Sequence, residues 1–421
     1  MTLATRRPRF GGWGRKSTRL PGEAWVLIGA NAVAALGYGV VSPVLPAFTR
    51  TFGVGMGAVT FAITVFSVIR LFSAPPTGLL VQRVGEQWVY LGGLVIVSVS
   101  TGVCAFVQNY WQLLVLRAIG GLGSTMFFIS ALGLMIRISP PDARGRVAGL
   151  FATSFLVGAA AGPLVGSLTA GLGLRAPFLI YGVAVLITTI VVFSALRRST
   201  LGSPAEHTAP AITVRAALRH RAYRASLLSN FATGWAVFGL RMAVVPLFIS
   251  DVLGRGPRMT GLVLGIFALG NLVVALPSGD LSDQIGRRTL LIGGLFGCSA
   301  ATILLGASSS VPVFLIAAFV GGAASGISAS PQQAAIADIL GSSARTGTAV
   351  STFQMMVDLG AIVGSMTVTE IAEHLSFEWG FVISAIVLLA AGVVWIFAPE
   401  TRVMGQPKSD AWETGGPSEL A

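Results

Sequence analysis

Long apolar stretches constrain this chain more than any other feature. Twelve segments each hold roughly 20 mostly apolar residues, the length that crosses the hydrocarbon core of a bilayer. Hydrophobic residues make up 54% of the chain and charged residues 10%, well below the ~25% of an ordinary soluble domain. The sequence therefore predicts an all-α membrane protein with twelve transmembrane helices. The predicted spans are 24–47, 58–81, 88–107, 110–137, 146–170, 176–196, 225–249, 259–281, 289–309, 312–337, 346–369 and 377–397.

Lysine and arginine in the loops and at the span ends are distributed unevenly. If both termini are cytoplasmic, 21 of these residues lie on the cytoplasmic side and 4 on the opposite side. This bias predicts cytoplasmic termini and a multi-pass protein of the cell (cytoplasmic) membrane. The net charge of +12 then lies mostly at the surface of the lipid bilayer, in short loops that do not suit nucleic acid. The first span is too long for a signal peptide, so we interpret it as a retained helix.

The second half of the chain repeats the first. APPTGLLVQRVGEQ (74–87) aligns with ALPSGDLSDQIGRR (275–288) at an offset of 201, and Pro43 matches Pro246. Both copies leave an even-numbered span on the same side, which predicts two parallel six-helix repeats. The predicted organisation is a basic arm (1–23), a first half (24–196), a cytoplasmic linker (197–224), a second half (225–397) and a cytoplasmic tail (398–421).

Four motifs resemble those of the major facilitator superfamily, in its twelve-helix drug–proton antiporter branch. GDLSDQIGRR (279–288) matches the family's loop motif, whereas GLLVQRVGEQ (78–87) has Gln82 where the family has Asp. LLVLRAIGGLG (113–123) resembles the fourth-helix motif, and GAAAGPLVGS (158–167) the fifth-helix antiporter motif. The resemblance implies proton-coupled multidrug efflux by alternating access. It also implies a cytoplasmic latch made of Gly279, Asp283, Gly286, Arg287, Arg288 and Arg83.

The fifth span carries a stripe without side chains. Gly158, Gly162 and Gly166 recur every four residues, and Pro163 follows the second of them. Such a stripe lets a neighbouring helix approach closely, and the proline bends the helix. We expect these four residues, which we call the glycine stripe, to form a rocking contact between the halves. The copy at 360–369 keeps Gly360 and Gly364 only.

Few ionisable residues lie within the spans. Arg70, Arg117 and Arg241 are the basic ones and Asp358 is the clear acid, while Asp251, Asp338 and Glu370 lie near span ends. Intramembrane charges are costly and usually face the bundle interior. The resemblance implies proton coupling at Arg117, and burial of Asp358 makes it the matching proton carrier. Three alternatives remain open. Arg117 packs against backbone carbonyls, Asp358 forms a latch with Arg83, or Arg70 satisfies the carbonyls freed by Pro75–Pro76.

The resemblance also implies a substrate cavity near the midplane, between the halves. Polar and aromatic residues of the spans are the candidates for its walls: Asn31, Tyr38, Arg70, Phe127, Asn230, Arg241, Asn271, Gln332 and Gln354. The first span lacks the acid that many cation exporters carry, so arginine outnumbers acid in the interior. We therefore expect a neutral or anionic amphiphile as the small-molecule substrate, with protons as the second transported species.

Several other functions find no support. No GxxxxGK[ST] motif occurs, Cys104 and Cys298 lie in apolar spans, and the three histidines show no metal-ligand spacing. We expect no enzyme activity, no metal and no cofactor, and a monomer. Two alternatives stay open. PETR (399–402) resembles a sugar-porter motif, which favours a metabolite or sugar transporter of the same fold. A non-transporting membrane sensor or assembly protein is the other.

Overall fold

The described chain is helical throughout. The computed structural model describes residues 21–138, 144–197, 214–308, 310–340 and 347–402. Eleven helices in this part are long and apolar enough to cross a membrane, and Gly22–Gly37 is a shorter apolar stretch. Many large apolar side chains on their outer faces are exposed, including Phe72, Trp111 and Leu168. An apolar outer surface of this extent fits a bilayer and does not fit water.

The first half contains seven α-helices. They are α1 (Gly22–Val40), α2 (Leu45–Arg50), α3 (Met56–Val84), α4 (Glu86–Cys104), α5 (Tyr110–Ile138), α6 (Arg144–Thr169) and α7 (Ala176–Leu196), with a 3₁₀ turn at Ala170–Leu172. The predicted first span does not run on as one helix, because α1 ends at Val40 and α2 begins at Leu45. Pro43 lies in the break, where its missing N–H interrupts the helical ladder.

The second half repeats this order with its own helices. They are α8 (Val214–Ala217), α9 (Arg221–Thr233), a π-helix (Gly234–Val244), α10 (Val245–Asp251), α11 (Pro257–Ile285), α12 (Arg287–Ala307), α13 (Val311–Leu340), α14 (Gly347–His374) and α15 (Phe377–Ile396). The helix α9, the π-helix and α10 follow one another without a gap and form the predicted seventh span. Within the predicted linker, 198–213 lie outside the described residues, and α9 already begins at Arg221.

Each half has its own apolar core. Leu27, Tyr90 and Val185 belong to a buried cluster of the first half, and Phe248 and Phe314 to one of the second. The helix pairs are also repeated: α1 packs on α6 as α14 packs on the π-helix, and α4 packs on α7 as α12 packs on α15. The two halves therefore pack equivalent helices against each other in the same way.

The short helices α2 and α10 are equivalent parts of the two halves. Both have a proline in the first turn, Pro46 and Pro246, where the missing N–H costs nothing. The structural counterpart of Pro246 is therefore Pro46, and the sequence match with Pro43 is corrected. Arg50 and Asp251 close these helices and meet across the halves, with two N–H···O bonds of 2.5 and 2.6 Å. We call this end of the molecule the Arg50 end, and the opposite one the Arg287 end.

Candidate functional site

The halves meet along two helix pairs, and the first is polar. We call the contact of α3 with α14 the polar seam. Starting at the Arg50 end, three bonds cross it: Gly57 N–H to Glu373 Oε1 (2.8 Å), Thr60 Oγ1 with Thr369 Oγ1 (2.8 Å), and Thr64 Oγ1 with Ser365 Oγ (2.7 Å). Hydroxyl pairs of this kind hold membrane helices together where water is absent.

An ion pair lies deeper in the polar seam. Arg70, in the middle of α3, donates from Nε to Asp358 Oδ1 of α14 at 3.1 Å, and both residues are only 8% exposed. Arg70 also donates from Nη1 to Ser124 Oγ at 3.2 Å. Asp358 thus meets Arg70 in this state, whereas Arg83 is exposed at the far end of α3. Each partner of a buried pair depends strongly on the other, because an unpaired buried charge is costly.

Arg117 does not join this pair. Its guanidinium lies 4.6 Å above the centre of the Phe66 ring, and its Nε donates to the Ala62 carbonyl at 3.5 Å. It therefore holds α5 to α3 inside the first half by a cation–π contact and a weak hydrogen bond. A proton-coupling role for Arg117 has to act through α3, the helix that also carries Arg70.

The second contact between the halves joins α6 and α11, and it is built from small and apolar residues. We call it the apolar seam. A Cβ built on Gly261 would lie 2.1 Å from Ser167 Cβ, and one built on Gly265 would lie 2.5 Å from Leu164 Cδ2. The backbones come this close only because both α11 positions are glycines.

The two seams occupy equivalent positions of the repeat. With offsets of 201 in α3/α11 and 202 in α6/α14, Thr60–Thr369 corresponds to Gly261–Ser167. Gly57–Glu373 likewise corresponds to Arg258–Gly171, where a Cβ built on Gly171 would lie 3.0 Å from an Arg258 guanidinium nitrogen. The same offsets map the ion pair Arg70–Asp358 onto Asn271 and Leu156.

A cavity occupies the position on the apolar seam that the ion pair occupies on the polar one. Its empty volume is about 660 Å³, and Asn271 and Leu156 both line it. Its other walls are mostly apolar and come from both halves: Phe155, Ala159, Ala160, Pro163, Val237, Phe238, Arg241, Met242, Leu264, Phe267 and Ala268. An apolar cavity with a few polar groups, placed between two halves, has the chemistry of a small-molecule site.

Of the residues predicted for the cavity, Arg241 and Asn271 line it. Arg241 is 3% exposed and comes from the π-helix. Its guanidinium carbon lies 4.4 Å from the centre of the Phe267 ring, and Nη1 donates to the Ala236 carbonyl at 3.2 Å. π-Helical turns are frequent at functional sites because they shift side chains off the α-helical register.

Other predicted residues lie inside a single half. Asn31 donates from Nδ2 to the Phe151 carbonyl at 2.9 Å, which ties α1 to α6. Its repeat counterpart Asn230 donates to the Phe353 carbonyl at 2.5 Å, which ties α9 to α14. Two equivalent amides thus brace the two halves in the same way.

The remaining predicted cavity residues also have places of their own. Gln332 donates to Asn230 Oδ1 at 2.9 Å, and the ring of Phe127 packs on Tyr90 with centroids 5.2 Å apart. Gln354 is half-buried on α14, and the side chain of Tyr38 lies outside the described residues. Phe127, Gln332 and Gln354 are not among the described walls of the apolar-seam cavity.

The three glycines of the glycine stripe pack inside the first half. A Cβ built on Gly158 would lie 2.1 Å from the Ala32 carbonyl oxygen, and one on Gly166 would lie 2.2 Å from that of Val40. Gly162 and Pro163 face Gly39 of α1 in the same way. The stripe was expected to face the other half, but its glycines face α1. The contact of α6 with the other half is made by Leu164, Ser167 and the Pro163 carbonyl.

The predicted latch residues of the second half form a network around the start of α12. Gly286 has φ = +107°, a conformation that favours glycine, as does its counterpart Gly85 at +91°. Arg287 lies 2.5 Å from Asp283 and 3.1 Å from Asp338. Gly279 lies on α11 one turn before Asp283, and Arg83 is exposed.

Glu400 completes this network, and sequence reasoning did not assign it. Its two carboxylate oxygens accept the N–H groups of Arg287 (2.9 Å) and Arg288 (3.0 Å), the first residues of α12. Arg288 also donates to the Ile396 carbonyl. A carboxylate at a helix start accepts hydrogen bonds from the free N–H groups and interacts favourably with the positive end of the helix dipole. The PETR sequence thus has a structural role here.

Comparison with known proteins identifies the family. The model of the Major Facilitator Superfamily matches residues 27–254 and 226–417, in two overlapping matches. The chain belongs to the major facilitator superfamily. It is 25% identical to the multi-drug resistance efflux pump PmrA of Streptococcus pneumoniae over 296 residues, 68% of this chain and 73% of that protein. It is 27% identical to the multidrug resistance protein MdtG of Klebsiella pneumoniae over 367 residues, 85% of this chain and 87% of that one.

A solved structure has the same fold. A bacterial homologue of the human lysosomal transporter Spinster, in an inward-facing and occupied conformation, superposes with a TM-score of 0.72 at 15% identity. The match covers 89% of this chain and 95% of the other. The predicted membership of this superfamily, with multidrug efflux proteins as relatives, is confirmed, and this facilitator is a transporter and not an enzyme.

Proposed function

We propose that this facilitator exports small amphiphilic compounds from the cell in exchange for protons, by alternating access of twelve helices. The relative PmrA is named a multi-drug resistance efflux pump, and the relative MdtG a multidrug resistance protein. The 21-to-4 distribution of lysine and arginine favours a cytoplasmic Arg287 end and cytoplasmic termini. The bonds across the Arg50 end then close the molecule toward the outside.

The buried ion pair Arg70–Asp358 is the observation that carries the proposal. It bridges two halves that have to move relative to each other, and it involves the one clear intramembrane acid. Protonation of Asp358 removes the charge that Arg70 binds, so the proton and the closed polar seam compete. An equilibrium between two conformations that depends on one proton is what couples a pH gradient to transport.

The hypothesis assigns an order to the events. With Asp358 ionised and paired, the outer end is closed and the substrate enters from the cytoplasm. When the outer end opens, α3 and α14 separate, and Asp358 takes up a proton from outside. The proton leaves toward the cytoplasm as the ion pair forms again. Arg117 influences this step only through its contacts with Ala62 and Phe66 on α3.

Purified Asp358→Asn protein in proteoliposomes tests the coupling. We expect downhill exchange of a transported dye to survive and stimulation by an imposed pH gradient to be lost, because asparagine cannot release a proton. Asp251→Asn is the matched control: it removes a carboxylate that also bridges the halves, but at the Arg50 end, and it should keep the response to pH. A normal pH response of Asp358→Asn would overturn the proposal.

A further inference from the structure

In the part of the chain that the structure describes, the contacts of Arg241 are with neutral groups. Besides the Ala236 carbonyl, its guanidinium donates from Nη2 to Thr302 Oγ1 at 3.2 Å and to Cys298 Sγ at 3.6 Å. Its Nε is buried without a hydrogen-bond partner. Five N–H groups in a fixed fork are thus only partly satisfied, and the positive charge meets no carboxylate in the contacts described. A buried cation without a charged partner is stabilised when an anion binds next to it.

Two cavities of different chemistry adjoin near this residue. The cavity of the apolar seam has aromatic and thioether walls, with Phe155, Phe238 and Met242 among them. A second cavity, with an empty volume of about 350 Å³, lies within the second half and shares Val237 with the first. Its walls are mostly apolar but include four polar side chains, those of Thr233, Ser325, Ser328 and Gln332.

Arg241 connects the two cavities. It lines the apolar one directly, and its partners Ala236 and Cys298 line the polar one. Gly321 leaves room for the guanidinium, since a Cβ built there would lie 3.0 Å from Nη2. Neither cavity has an acidic residue among its described walls. The arrangement is an aromatic compartment, a fixed positive charge and a compartment with several hydroxyl groups, in sequence.

We infer that Arg241 is the head-group site for amphiphilic organic acids in their ionised form. The acid group binds the guanidinium fork and the neighbouring hydroxyls, and the apolar body fills the aromatic cavity. A carboxylate supplies the charge-assisted hydrogen bonds that Arg241 lacks, whereas an organic cation is repelled. The inference rests on the proposed export function, because it names the substrate class of that transporter.

Equilibrium binding to purified protein, without a pH gradient, tests the assignment. The probes are 1-pyrenebutyric acid, its methyl ester and the corresponding amine, which share one apolar body. We expect the acid to bind at least about 10-fold more tightly than the ester, as one charge-assisted hydrogen bond provides. The amine should bind most weakly. Equal affinities, or tighter binding of the amine, would overturn the inference.

Variants locate the effect. Arg241→Gln should abolish the preference for acid over ester while ester binding persists, and Arg241→Lys should restore part of the preference. Arg117→Gln is the control, because it removes a span arginine that does not line either cavity. Gly321→Ala displaces the guanidinium but keeps the charge, so it should lower the preference to an intermediate value. Retention of the full preference by Arg241→Gln would place the acid elsewhere.

The wild-type comparison and Gly321→Ala decide the matter if Arg241→Gln fails to fold. The outcome is separable from that of the coupling test. If the wild-type protein binds the acid selectively but its transport is not stimulated by a pH gradient, proton exchange is contradicted and the inference about Arg241 stands. If a pH gradient drives transport of the amine and the acid is not bound selectively, the inference about Arg241 is contradicted and proton exchange stands.

Discussion

At the scale of single residues, glycines determine how closely the helices of each half pack. Gly158 and Gly360 are equivalent, and a Cβ on either would lie 2.1 Å from a carbonyl oxygen, that of Ala32 or of Phe231. The four-residue spacing predicted close helix packing, and that part could be read from sequence. The partner helix could not, because a bare helix face fits any neighbour of suitable shape.

The two glycines provide a matched test. We expect Gly158→Ala and Gly360→Ala each to destabilise the protein by about 1–3 kcal/mol, because the methyl group meets backbone that cannot rotate away. Thermal unfolding in detergent measures the effect as a lower Tm. Gly29→Ala is the control, since a Cβ there would meet no atom within 4 Å. Unchanged melting of both variants would contradict the close packing.

At the scale of helices, length was predictable and interruptions were not. Several predicted spans lie within helices that extend a few residues further, such as 259–281 in Pro257–Ile285. Others run past the end of their helix, such as 88–107, whose helix ends at Cys104. The π-helix at Gly234–Val244 left no sign in the apolar pattern, because its residues are as apolar as those of an α-helix. The repeat offsets, however, show which residues of the two seams are equivalent. Once one seam is known, the offsets give the other.

A disulfide across the polar seam should lock the Arg50 end. In Thr60→Cys/Thr369→Cys, the sulfur atoms replace hydroxyl oxygens 2.8 Å apart, so an oxidant should cross-link them and stop transport. A reductant should restore it. Native Cys104 and Cys298 are both buried and should not react. The single-cysteine variants are the controls, and normal transport by fully cross-linked protein would show that this end does not need to open.

At the scale of the whole molecule, the two halves share a plan and differ in detail. Membership of the superfamily and the repeat were predictable, because motifs and offsets are local in sequence. The Arg70–Asp358 pair was not, since 288 positions separate its members and Arg83 was an equally good partner on paper. The basic loops also differ. Asp283 binds Arg287 at the second loop, and Gln82 occupies the equivalent place in the first.

This difference predicts unequal effects of substitution. Asp283→Asn should reduce turnover several-fold more than Gln82→Ala, because only the first removes a charge from the network around Arg287. Stability should change little, since exposed ion pairs contribute only about 0.2–1 kcal/mol. Asp280→Asn, an exposed acid on the same helix, is the control. Initial transport rates in proteoliposomes make the comparison, and equal loss in all three variants would argue against a role for the network.

At the Arg50 end, the ion pair Arg50–Asp251 joins α2 to α10. The hydrogen bond to Asp251 raises the pKa of the Arg50 guanidinium above its usual value. Burial raises the pKa of the Asp251 carboxyl, but the hydrogen bonds from Arg50 and Ser250 outweigh it and hold that pKa below its usual value. We therefore expect this contact to persist at neutral pH and to be lost only in acid, when Asp251 is protonated.

The equivalence of the two seams has a consequence for how the halves recognise each other. A homodimer of first halves would place Arg70 opposite Leu156 twice, and a homodimer of second halves would place Asn271 opposite Asp358 twice. Either assembly would bury two charges without partners, at about 3–5 kcal/mol each. Only the mixed pair joins the arginine to the aspartate and leaves the cavity on the other side. If the halves are produced as separate polypeptides, they should therefore reassemble as a heterodimer and not with copies of themselves.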